Sequence, residues 1–392
     1  MSLCVPKICV LNKILIVWMT VVATLSCLGH SKSEFEAIFN FENSNSDTGR
    51  FWAAFLAQPG PYGMTYFKRP VGRATDGRLI VDFLGNSHNL QFGQNYLTVD
   101  MLPDSLLLLN LAAQALGLPF ISPYLKSIGS DYKHWANYAT LASIVLLPNT
   151  SLFVTGISPF SLAINEETSF PGYFWEISLH ILNDFTSNLA AISVGGVKQY
   201  LPLVSQIAGT IKELYTLGGR AFLVLNLASV GCYPSFLAGL PPSELDAFGC
   251  SIAYNKAVVD YNNLLKEALS QTRGSLPNAS LVSLVYVDTS SVLLELFRHP
   301  TSHGLKYGTK SCCGHGGGTY NFDPQVFCGN TKVINGKPVT ATACSDPYNY
   351  VSWDGVHATE AANKLTTLAI LNDTFSDPPF PLEQFCDLHG IA

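Results

Sequence analysis

Two nearly uninterrupted apolar runs, residues 220–228 and 281–287, restrict the folds open to this chain more than any other feature. Runs this short, rich in branched and aromatic side chains, suit strands of a parallel sheet buried on both faces. Residues 197–217 and 243–271 carry apolar side chains at helical spacing, and residues 36–41 alternate as an opening strand would. Strand, helix and strand recurring in that order predict an α/β fold with a doubly wound, mostly parallel sheet. In such sheets chemistry collects at the carboxyl ends of the strands. Ser44 follows the opening strand, and Asn183 follows another strand-like stretch, so both stand where that rule places functional groups.

Composition narrows the class. Of 392 residues, 48% are hydrophobic and 13% charged, which provides a substantial core and argues against disorder. No linker, charge block or repeat divides the chain, so one large domain is expected. The net charge of −6, with no basic stripe, leaves no footprint for nucleic acid. Lys7 and Lys13 precede an apolar run at 14–28, followed by small and polar residues. That is the layout of a secretory signal peptide, here assigned to residues 1–31, with 32–392 as the mature domain. The run is shorter than the roughly 20 residues a spanning helix needs, and no later stretch reaches that length, so no stable membrane span is expected. An extracellular or cell-wall location follows.

Removing the leader takes away Cys4, Cys9 and Cys27 and leaves Cys232, Cys250, Cys312, Cys313, Cys328, Cys344 and Cys386. Four of these fall between 312 and 344, which in an oxidising compartment predicts disulfides stapling a Gly-rich loop. Seven is odd, so at least one thiol is left over or pairs between chains. A zinc site built on Cys312, Cys313, His315 and Cys328 fits poorly, because adjacent cysteines do not make the usual C-x2-4-C ligand pair. Neither a metal nor a cofactor is therefore expected. Sequons at Asn149, Asn278 and Asn372 are candidate N-glycan sites.

The chemistry-bearing pattern is Asp354-Gly355-Val356-His357. An Asp three positions before a His can fix the imidazole tautomer and leave the other ring nitrogen free to take a proton. Its candidate partner is Ser44, in the turn Ser44-Asn45-Ser46-Asp47-Thr48-Gly49. Taken alone, such a serine is usually only a turn or cap residue. No G-x-S-x-G elbow and no P-loop is present, and the Gly-rich stretch at 314–318 lacks a strand–turn–helix context.

These segments, with Phe39-Asn40-Phe41, residues 72–79, Asn183-Asp184, Gly231-Cys232 and Cys312-Cys313-Gly314, resemble the plant GDSL esterase/lipases of the SGNH hydrolase superfamily. The resemblance implies a three-layer α/β/α sandwich of flavodoxin-like type and acyl-ester hydrolysis. It assigns Ser44 as nucleophile, His357 as base and Asp354 as the group that orients the imidazole. The Ser44 and Gly77 amides and the Asn183 side chain would form the oxyanion hole. The expected substrate is a small-molecule, lipid or cell-wall ester; transfer of the acyl group to an alcohol would use the same residues.

Several positions depart from the family pattern. Glu42-Asn43-Ser44 replaces Gly-Asp-Ser, and Ile181 replaces the Gly of Gly-x-Asn-Asp. Residues 86–111 read as an atypical insertion, and 165–178 as an atypical segment where a longer stretch is expected. A glutamate beside the nucleophile opposes oxyanion formation, and a β-branched residue before Asn183 crowds the donor. Impaired hydrolysis is therefore expected. The alternative is a weak or inactive secreted member that binds a glycan, lipid or protein.

Overall fold

The computed structural model describes residues 38–41, 44–54, 58–84, 135–137, 139, 174–178, 197–278 and 282–379. The amino-terminal leader, Cys386, Asn149 and the insertion at 86–111 lie outside the described residues.

In chain order the first elements are β1 (Ile38–Phe41), α1 (Arg50–Ala54), α2 (Ile80–Leu84), β2 (Trp135–Asn137) and β3 (Phe174–Ser178). Then come α3 (Val197–Thr216), β4 (Ala221–Leu225), α4 (Pro234–Leu237), α5 (Ile252–Ser275), β5 (Ser283–Val287) and α6 (Thr289–Arg298). The last are β6 (Tyr307–Ser311), β7 (Thr331–Ile334), β8 (Lys337–Thr340), β9 (Tyr350–Ser352), α7 (Glu360–Leu371) and β10 (Ser376–Asp377).

Six strands form one sheet in the order β10-β5-β4-β3-β1-β2. All neighbours are parallel except β10, which runs antiparallel to β5. The two apolar runs of the sequence are β4 and β5, with Phe222 opposite Leu284 and Val224 opposite Tyr286. Those four side chains share a core cluster with Ile207, Ile211 and Leu214 of α3 and Tyr261, Leu265 and Leu269 of α5. Leu223, Leu225, Val285 and Val287, which alternate with them, are also buried. Both faces are thus withdrawn from water, which is why these strands read as continuous apolar runs rather than alternating ones.

Sequence periodicity misplaces one helix boundary. The expected helix over 243–271 begins at Ile252, after a short 3-10 turn at Pro242–Glu244. Cys250 is bonded to Cys232, and the Asp246 carboxylate accepts the amides of Phe248 and Cys250, which holds the chain in a turn. Ser251 then caps α5 by accepting the Tyr254 amide. Within the stretch 165–178, residues 174–178 form β3, paired with both β1 and β4.

The four clustered cysteines form two disulfides, Cys312–Cys344 and Cys313–Cys328. Their sulfurs are thereby excluded from the zinc arrangement. They bury against Trp353, and the β7–β8 hairpin projects from the region they close. Among the described residues no helix is long and apolar enough to cross a membrane, and no cluster of three metal-ligating side chains occurs.

Candidate active site

β1 ends at Phe41, and the chain turns through Ser44, which is 7% exposed. Asp47 shapes the exit from this turn. Its Oδ1 accepts the amides of Gly49 (2.7 Å) and Arg50 (2.6 Å), and its Oδ2 accepts that of Phe51 (3.2 Å), which starts α1.

Asp354 and His357 lie between β9 and α7. Gly355 has φ +95°, and a Cβ there would come within 2.4 Å of the Phe322 ring. Both constraints call for glycine. The Gly355 carbonyl accepts the amide of Ser235 on α4, and its own amide donates to Ser352 Oγ. Thr359 ends the turn by capping α7, its hydroxyl accepting the Ala362 amide at 3.2 Å.

Two distances define the site. His357 Nε2 lies 2.8 Å from Ser44 Oγ, and His357 Nδ1 lies 2.7 Å from Asp354 Oδ2. Asp354 Oδ1 accepts the amides of Val356 (3.0 Å) and His357 (2.9 Å). Burial alone would push the Asp354 carboxyl up. The adjacent His357, the ring hydrogen bond and the two amides outweigh it and hold the group below the usual carboxylate range. The carboxylate therefore remains ionised near neutral pH and favours Nδ1 as the protonated ring nitrogen. That leaves Nε2 free to accept the serine proton.

The segment 72–79 clamps the two halves together. Toward the serine turn, Arg73 Nη1 donates to the Thr48 carbonyl at 3.4 Å, and Gly72 lies so close to Gly49 that a Cβ would sit 2.3 Å from its Cα. Arg73 is held in turn by a bidentate ion pair with Asp82 of α2, at 2.6 and 2.5 Å. Toward the histidine, Thr75 donates to the Ala358 carbonyl at 2.8 Å, Asp76 accepts the Glu360 amide at 2.8 Å, and Arg78 pairs with Glu360.

The structure brings Ser44, His357 and Asp354 into one hydrogen-bond chain. Gly77 lies in the clamp, packed against the Glu360 side chain. Asn183, Glu42, Asn43 and Ile181 are outside the described residues. Three contributors had no signal of their own in the sequence. Asp47 and Arg73 stood within recognised blocks without an assigned role, and Tyr62, whose hydroxyl lies 3.2 Å from Asp354 Oδ2, is 292 residues from its partner.

The family model for GDSL-like lipase/acylhydrolase matches residues 180–370. A GDSL esterase/lipase of Arabidopsis thaliana is 55% identical over 386 aligned residues, covering 91% of this chain and 93% of its own. This chain belongs to the plant GDSL esterase/lipase family. Two more distant members illustrate its spread. An esterase of Hevea brasiliensis is 36% identical, with 90% of this chain and 89% of its own aligned, and a second Arabidopsis GDSL esterase/lipase is 35% identical, at 92% and 96%. The structure places the blocks around Ser44, residues 72–79 and Asp354–His357 in mutual contact.

Proposed function

We propose that this GDSL family member is a secreted carboxylic-ester hydrolase working through an acyl-serine intermediate. The observation that carries the reading is the unbroken chain Ser44 Oγ–His357–Asp354. The names of its relatives, esterase and esterase/lipase, support ester bonds as the target. In this scheme Ser44 Oγ attacks the ester carbonyl carbon while His357 Nε2 takes its proton. The carbonyl π pair moves onto oxygen, where the Ser44 and Gly77 amides and the Asn183 side chain would stabilise the charge. Collapse expels the alcohol, which receives the proton from His357. Water then attacks the acyl-enzyme with His357 again as base, releasing the acid and restoring Ser44. The substrate would be a small-molecule, lipid or cell-wall ester, with no cofactor taking part.

The same proposal covers the chain's organisation. Residues 1–31 serve as a signal peptide, and 32–392 fold as one three-layer α/β/α sandwich, with 86–111 and 165–178 as its atypical segments. Three disulfides among the described residues suit an oxidising compartment. Asn278 and Asn372 are exposed, as glycan carriers must be; Asn149 completes the candidate set.

The departures at Glu42, Asn43 and Ile181 favour a second reading, in which hydrolysis is weak and binding of a glycan, lipid or protein is the main role. Hydrolysis of p-nitrophenyl butyrate by the purified protein, with Ser44→Ala as control, separates the two. Turnover that disappears with Ser44 supports the hydrolase. Equal rates for both proteins would refute it. Adding an alcohol acceptor and measuring new ester distinguishes acyl transfer from hydrolysis.

A further inference from the structure

The buried Asp354 carboxylate has all four of its acceptor directions filled. Oδ1 takes the Val356 and His357 amides, and Oδ2 takes His357 Nδ1 at 2.7 Å and the Tyr62 hydroxyl at 3.2 Å. The Tyr62 bond is the longer of the two on Oδ2, so it adjusts that oxygen without displacing the histidine. The Tyr62 ring packs edge-on against Trp353, with centroids 6.1 Å apart and an interplanar angle of 72°. Trp353 is buried against Cys312, Cys313 and Cys328, and the Cys313 amide donates to its carbonyl at 2.6 Å. Tyr62 therefore joins the disulfide-stapled layer to the carboxylate. Burial, with the Asp354 charge and the hydrogen bond to it, raises the phenol well above its ordinary value, so the hydroxyl remains a donor throughout the working range.

We propose that Tyr62 is a positioning residue of the acyl-transfer site, fixing Asp354 against His357 and lowering the carboxylate's basicity. This rests on the assignment of Ser44, His357 and Asp354 to catalysis. Without the phenol, Asp354 would hold the imidazolium more tightly and sit less firmly in place. The first effect moves the acid limb of the rate profile to higher pH, and the second lowers kcat. Because Tyr62 acts on Asp354 and not on substrate, KM should not change.

The test measures kcat and KM for p-nitrophenyl butyrate across pH, on protein made in a eukaryotic secretory host. Tyr62→Phe should shift the acid limb of kcat/KM upward by about 0.5 units and lower kcat roughly five- to tenfold at constant KM. Incorporation of 3-fluorotyrosine at position 62 keeps the shape and strengthens the donor, so it should shift the limb downward. If both profiles overlie the wild type, or only KM or thermal stability changes, Tyr62 merely packs and the inference fails. Should Tyr62→Phe not fold, the fluorotyrosine profile decides alone. Activity retained by Ser44→Ala would instead overturn the nucleophile assignment, and the role of Tyr62 with it.

Discussion

Arg78 and Glu360, 282 residues apart in sequence, form a buried ion pair that fastens the Gly77 segment to the start of α7. Arg78 Nε and Nη2 both donate to Oε1, at 3.0 and 2.5 Å, and the Arg78 amide donates to Oε2 at 3.0 Å. Burial pushes the Glu360 carboxyl up; Arg78 opposes this and the nearby Asp76 adds to it. Two residues upstream of this helix stands Thr359's neighbour Ala358, then His357, so the pair also fixes where the histidine begins its turn.

Gly77 carries the first prediction. A Cβ at this position would lie 1.6 Å from Glu360 Oε2 and 2.7 Å from its Cδ. Gly77→Ala must therefore displace a carboxylate that Arg78 holds on two sides. Removing one partner of a buried ion pair costs about 3–5 kcal/mol. Glu360→Ala should fall in that range, and Gly77→Ala should approach its lower end. Denaturant unfolding of both variants checks this. A Gly77→Ala protein as stable as the wild type would mean that the clamp is looser than the distances indicate.

The second prediction concerns the staples. The amides of Cys312 and Cys313 donate to the carbonyls of Ser352 and Trp353, directly ahead of Asp354. The Cys313–Cys328 bridge spans 15 residues, and closing a loop of that size contributes about 3 kcal/mol. The double variant Cys313→Ser, Cys328→Ser should lose that stability and part of its esterase activity together. Peptide mapping without reduction should recover Cys312 with Cys344 and Cys313 with Cys328. Free alkylation of all four thiols would contradict the arrangement.

A third prediction separates two aspartates by sign. Burial opposes ionisation of Asp246, but the amides of Cys250 and Phe248 and the Arg298 side chain outweigh it and lower its pKa. Its contribution is thus present above the ordinary carboxylate value, about 4, and fades as pH falls through the lower folded value. Asp76 is raised, because burial outweighs its bonds to Thr65, Glu360 and Thr75. Its contribution is present below about pH 4 and is lost as pH rises through the higher folded value. The stability advantage of wild type over Asp246→Asn should therefore shrink on acidification, while that over Asp76→Asn should grow. Urea unfolding at several acidic pH values gives both slopes; slopes of the same sign would refute the assignment.

What the sequence disclosed follows from which interactions are local. β4 and β5 announce themselves because a strand buried on both faces must be apolar along its length. Asp354 and His357 are recognisable because the spacing that builds their turn lies within four residues. β3 was legible only as a strand-like stretch ahead of Asn183 and not in its bounds, since Phe174-Trp175-Glu176-Ile177-Ser178 mixes polar and aromatic residues within a stretch that departs from the family pattern. The start of α5 was displaced by a disulfide, which periodicity does not register. Tyr62 and Glu360 meet their partners only across nearly 300 residues of chain, and no local pattern encodes that closeness.

The last prediction addresses how well the enzyme works. Glu42 and Asn43 immediately precede Ser44, and Ile181 stands two residues before Asn183. In the proposed mechanism these neighbours govern how the nucleophile and one oxyanion donor are aimed. A carboxylate beside the serine opposes the negative charge that develops on the substrate oxygen. A β-branched residue ahead of Asn183 restricts the backbone that carries the donor. Loss of one oxyanion donor costs about 10²–10³ in rate. The combined change Glu42→Gly, Asn43→Asp and Ile181→Gly should therefore raise kcat/KM for a short-chain ester by roughly 10²-fold. Circular dichroism must show the revertant as well folded as its parent for the comparison to count. An equally folded revertant that is no faster would shift the cause of weak activity to the atypical stretches at 86–111 and 165–178. A parent that already turns over esters rapidly, and loses that activity with Ser44→Ala, would show that the three departures do no harm.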